Sequence, residues 1–124
     1  AKDLFKHVET PTTNDIDLLK VGRHFRFDEK TKLVVGRNQD ENEVIKALVL
    51  DKDVLLEAKD HVGPITLLRG ENAQNYLDLG AAITLRYSDA PKEAASIIVT
   101  QKKDAKSEIS TIPAKEEAYL QYRI

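Results

Sequence analysis

The 124-residue sequence contains no cysteine and no methionine. Without thiols there is no disulfide framework, no thiolate zinc site and no cysteine nucleophile. Glycine and proline are scarce, with five and four residues, which excludes collagen-like and low-complexity chains. No apolar run approaches the roughly 20 residues needed to cross a bilayer, and no signal-peptide pattern is found. The missing methionine, with alanine at position 1, leads us to expect a domain excised from a longer protein. The remainder is ordinary: 41% hydrophobic, 32% charged, net charge −2. A chain of this length buries roughly two-thirds of its unfolded surface, enough for one core without staples. Composition alone describes a soluble, cytoplasmic type of single domain.

Charge is segregated rather than absent. Residues 20–37 carry six basic side chains against two acidic ones, and residues 38–60 carry three basic against seven acidic. Residues 1–19 are mildly acidic and residues 61–124 are neutral. A compact basic segment is therefore hidden in the near-neutral total.

The pattern along the chain predicts an α+β domain with a mostly antiparallel sheet of six to seven strands and two main helices. Residues 1–17 are expected to be a lead-in or linker. Leu4, Phe5 and Val8 suggest one helical turn there, followed by loop chemistry through residue 15. Residues 18–124 are expected to form the domain. His24, Phe25, Arg26 and Phe27 alternate, residues 28–31 are a polar turn and residues 32–36 are a second strand-like run with β-branched Val34 and Val35, which reads as a hairpin. Asn38 followed by Glu41 fits a helix N-cap with its capping-box acid, and Val44, Ile45, Leu48 and Val49 give that helix a buried stripe. Strands are expected at 54–58, 65–69, 96–100, 108–112 and 119–124. A second helix from about 72 to 87 carries Tyr76, Leu79, Gly80, Ile83 and Tyr87 on one face.

Little of this resembles an enzyme. There is no Gly-x-Gly-x-x-Gly and no phosphate loop. His7, His24 and His61 do not pair at a metal-ligand spacing, so no metal site and no catalytic residue is expected. His61 beside Asp60 is the sole acid–base candidate, and a turn histidine solvated beside surface acids is the favoured reading of it. The basic hairpin is the better lead, because clustered arginines pair bidentately with phosphates and attract polyanions. Alternation places His24 and Arg26 on the face opposite the two phenylalanines, which belong to the core. An ordinary solvated basic face fits the same pattern.

Taken together, residues 22–27 and 32–38, Glu41 with Asn42, Gly63 with Pro64, Ala81 with Ala82, and residues 86–88 are similar to the NFACT-R type of RNA-binding domain. More narrowly, they look like the version appended C-terminally to PP-loop proteins that form thiouridine in tRNA. The resemblance covers residues 18–99. It implies an accessory module that binds tRNA or another structured RNA, with ATP and catalysis in a separate PP-loop domain and no cofactor here. The residues it singles out, with the basic segment, are Arg23, His24, Arg26, Lys32, Arg37, Asn38, Asn42, His61, Arg69 and Arg86. The broader group's C-terminal basic run is reduced here to Lys102 and Lys103. The alternative is a protein-interaction module that docks on its own catalytic domain or self-associates, using residues 119–124 as an edge strand.

Overall fold

The computed structural model describes residues 13–59, 61–89, 95–101 and 105–123. In chain order the elements are α1 (Thr13–Leu19), β1 (Arg23–Asp28), β2 (Thr31–Val35), α2 (Gln39–Leu48), β3 (Val54–Ala58), β4 (Thr66–Gly70), a 3-10 turn (Ala73–Tyr76) running into α3 (Leu77–Arg86), β5 (Ala95–Gln101), β6 (Ala105–Thr111), α4 (Glu116–Tyr119) and a second 3-10 turn (Leu120–Tyr122). One antiparallel sheet orders its six strands β1-β2-β4-β3-β5-β6. The fold is α+β, with α2 and α3 as the two main helices.

Helices cover both faces of the sheet, and the strand burial follows from that. β2 lies second from the edge with every residue buried. Leu33 and Val35 face the α3 side, where they join Phe25, Phe27, Leu56, Leu68 and Ile83. Val34 faces the other side with Leu67, Ile65, Leu18 of α1 and Ile45 of α2. α3 comes close to the sheet because Gly80 carries no side chain. A Cβ there would lie 3.1 Å from Leu56 Cδ1 and 3.3 Å from Leu33 Cδ1.

Several expectations need correction. The loop expected through residue 15 gives way to α1 at Thr13, whose Leu18 is fully buried. The second helix opens as a 3-10 turn before Leu77. β6 starts at Ala105 and pairs with β5 without a slip from Gln101↔Ala105 to Ala95↔Thr111. The expected strand at 119–124 is absent among the described residues. In its place are α4 and a 3-10 turn, joined to β1 by the single bridge Phe25↔Arg123. Tyr119 and Tyr122 are three residues apart, so a helical turn turns both rings toward β1, where a strand would split them to opposite faces. Tyr119 meets Phe25 edge-on at 5.9 Å and Tyr122 meets Phe27 at 5.2 Å. A hydrogen bond from Ala114 N to Ala82 O, 3.0 Å long, ties the approach to α3. The turn expected at Leu4 to Val8, along with Asp60, Lys102 and Lys103, lies outside the described residues.

Candidate nucleic-acid interface

The ten residues singled out by sequence fall in three places. His24, Arg26, Lys32 and Arg69 share one face, because His24 pairs with Val34, Arg26 with Lys32, and Lys32 with Arg69 across β1, β2 and β4. Their availability differs. Lys32 is buried. His24 is half-buried, with Nε2 donating to Val21 O at 2.9 Å. Burial, reinforced by the Lys32 charge, pushes its pKa down to about 4, so the ring is neutral at physiological pH. Arg69 is clamped by Asp53, with Nε to Oδ1 at 2.9 Å and Nη2 to Oδ2 at 2.7 Å. Asp53 is buried and also accepts from Leu50 N at 2.8 Å. The pair therefore ties the α2–β3 connection to β4.

The second place is the β2–α2 junction, where four residues of the motif are held by one another. Asn38 caps α2, its Oδ1 accepting from Glu41 N at 2.9 Å. The Glu41 carboxylate takes the Arg37 fork at 2.9 and 2.7 Å, and also accepts from the backbone N–H of Arg37 and of Gly22. Those hydrogen bonds, from the Arg37 side chain above all, hold the Glu41 carboxyl down to about 2. Buried Asn42 accepts from Ile65 N at 3.0 Å, and Gly36 N donates to Ile65 O at 3.0 Å. A Cβ on Gly36 would run into Asn42 Oδ1. The motif is a clamp joining the hairpin, α2 and β4.

The third place is the α3 face at the edge of β1. Alternation puts Arg23 there with Phe25 and Phe27, opposite His24. Its guanidinium lies over the Tyr87 ring, Cζ 4.6 Å from the centroid. Tyr87 meets buried Tyr119 at 5.9 Å, Tyr119 meets Phe25, and Arg123 Cζ lies 5.6 Å over the Phe25 ring. Burial raises the Tyr87 phenol, and a hydrogen bond with Tyr119 adds to it, while the charges of Arg23 and Arg123 work against the rise. Both guanidinium groups therefore act on one ring. Among the described residues no carboxylate forms an ion pair with either. Exposed Arg86 precedes Tyr87 at the end of α3. His61 is part-buried in the β3–β4 loop, which docks on the end of α3 through Asp89 N to Val62 O at 2.7 Å.

A model of the NFACT protein RNA binding domain matches residues 22–123. The chain belongs to that family. A similar fold is seen in a solved structure, the C-terminal part of the fibronectin/fibrinogen-binding protein from Streptococcus suis. That chain is 14% identical with a TM-score of 0.69, over 99% of this chain and 58% of that one. The NFACT domain described here therefore spans 58% of the length of that structure, and at this identity the likeness is one of fold. No curated protein matches the sequence.

By family, this is an RNA-binding domain. Among its described residues no group of three or more His, Asp or Glu gathers to hold a metal, and no helix is long and apolar enough to cross a membrane. Sequence reasoning misses three members of the third cluster: Arg123 and Tyr119, which it reads as a strand, and Tyr87, which it reads as part of a helix's core-facing stripe. The helical spacing of Tyr119 and Tyr122 was the signal for the first two. For Arg23 the signal was the hairpin's own alternation.

Proposed function

We propose that this NFACT-type domain binds tRNA, as the accessory module of a cytoplasmic protein that thiolates tRNA. Arg23, Arg123 and Tyr87 form the centre of the interface, with Arg26 on the β1 edge and Arg86 at the end of α3 as flanking cations. The observation that carries this reading is the coincidence of an RNA-binding family match over residues 22–123 with two arginines fixed on rings. Guanidinium groups held by cation–π contact lose less freedom when they meet a phosphate. Adenylation and sulfur transfer would belong to a PP-loop transferase domain elsewhere in the polypeptide, which binds ATP and on which this domain docks. The strings 32–38 and 86–88 support that context by their resemblance to the domains appended to such proteins.

Filter binding of the chain to total tRNA tests the binding itself. Salt-sensitive retention that Arg23→Glu with Arg123→Glu abolishes is the expected result, and no retention up to high micromolar protein overturns it. A Ser-Gly-Gly-x-Asp-Ser loop encoded upstream is the expected sign of the parent enzyme.

Protein docking is favoured by one observation. β6 is an edge strand whose residues 105–108 are exposed, whereas the segment 119–123 is no edge strand. If docking rather than RNA were the role, Lys106→Pro would abolish tRNA modification and the arginine variants would not.

A further inference from the structure

We infer that the Arg23–Tyr87 pair is a stacking platform for an unpaired base, so that the domain takes single-stranded RNA in preference to a duplex. The inference rests on the RNA-binding reading and names the form of RNA that its central site accepts. Three observations carry it. The Arg23 guanidinium lies over the Tyr87 ring, Cζ 4.6 Å from its centroid, and Arg23 is only part-buried, so this cation is anchored on a ring at the surface of the domain. A flat, delocalised cation of this kind stacks a base and reaches a phosphate with the same group. The plane is also held still: Tyr87 is fixed edge-on by Tyr119 at 5.9 Å and by their hydrogen bond, and Tyr119 by Phe25. A base that lands there meets a prepared surface, which keeps the ordering cost low.

The second guanidinium gives the site its polarity. Arg123 sits over Phe25, within electrostatic reach of Tyr87, and no ion-paired carboxylate offsets it or Arg23 among the described residues. Two cations converging on one aromatic cluster favour a phosphate beside the stacked base. A duplex presents no such combination. Its bases are stacked on each other, and the deep A-form major groove does not admit side chains anchored in a packed cluster. By contrast Tyr76, which stacks on Phe27 at 4.9 Å, is hydrogen-bonded to Asp28, and that carboxylate disfavours RNA on the ring. The platform is thus confined to the Arg23 end of β1.

The test uses the full chain, labelled oligouridylate of about 12 nucleotides, within single-strand site sizes, and the matching RNA duplex. A single 2-aminopurine in the oligouridylate reports stacking, and the absence of tryptophan in the chain keeps its emission clean. The expected result is single-strand binding about tenfold tighter than duplex binding, with the probe quenched at saturation. Arg23→Lys keeps the charge and removes the plane. It is expected to weaken the single strand by about tenfold and abolish the quenching, with a clearly smaller loss in duplex binding. Equal or tighter duplex binding, or single-strand binding indifferent to Arg23→Lys, overturns the platform while leaving RNA binding intact. If neither RNA binds, the RNA-binding reading itself falls. Should Arg23→Lys fold poorly, an unquenched probe on saturated wild-type protein is enough to refute the platform.

Discussion

His24 and Glu41 make the fold acid-sensitive for different reasons. The His24 pKa falls from 6.5 to about 4 on folding, so between those values the unfolded chain binds a proton that the folded one refuses. Stability therefore declines as pH drops through that window, by about 2 kcal/mol once partial solvation is allowed for. Glu41 falls from 4.5 to about 2. Its contribution is complete above 4.5 and disappears as pH descends through the folded value. Urea denaturation at steps from neutral pH to about 4 checks the first window. His24→Gln, which keeps a donor for Val21 O, is expected to flatten it, and identical pH profiles for variant and wild type count against the assignment. Asp53 is a buried carboxylate that holds a nearly buried cation. Asp53→Ala leaves the Arg69 guanidinium, only 14% exposed, without its carboxylate, and a loss of about 3–5 kcal/mol in the denaturation midpoint analysis is expected. Asp53→Asn, which preserves an acceptor for Leu50 N, is expected to cost less.

At the scale of elements, the C-terminal turns decide whether the Arg23–Arg123 cluster exists. Tyr119 is 3% exposed and packs between Phe25 and Tyr87, so Tyr119→Ala is expected to cost about 3–4 kcal/mol. It is also expected to weaken RNA binding by freeing Arg123. Tyr119→Phe keeps the ring and loses the hydrogen bond to Tyr87, at about 1 kcal/mol. Thermal melts paired with RNA titrations separate the two effects. The elements that were legible in sequence are those specified locally. The hairpin shows its faces through alternation, and α2 shows its start because Asn38 and Glu41 lie within one turn. The C-terminal segment was not legible, since what folds it is remote: Ala82 O on α3 and the rings on β1. The same holds for the candidate site. Arg37, Asn42 and Arg69 look like phosphate ligands in a linear reading. Within the fold they pair with Glu41, the Ile65 backbone, 23 residues away, and Asp53, 16 residues away, and only folding brings the last two into reach.

At the scale of the whole molecule, the acidic stretch at 38–60 answers the basic stretch at 20–37. Glu41 takes Arg37, and Asp53 takes Arg69 from β4, so part of the positive charge that sequence offers to a polyanion is neutralised inside the fold. This sets a quantitative expectation for RNA binding. Each phosphate neutralised on a single strand contributes about −0.7 to the slope of log K against log salt. Were all the basic residues singled out by sequence engaged, the slope would be steep. With Arg23 and Arg123 each meeting one phosphate and the flanking Arg26 and Arg86 together meeting about one more, the slope is expected near −2, a loss of roughly 16-fold between 50 and 200 mM salt. Arg123→Ala is expected to make the slope shallower by roughly 0.7, whereas Arg37→Ala should lower thermal stability and leave the slope unchanged. A slope that falls equally for both variants would mean that Arg37 leaves Glu41 for phosphate when RNA binds, and the clamp at the start of α2 would then be part of the interface.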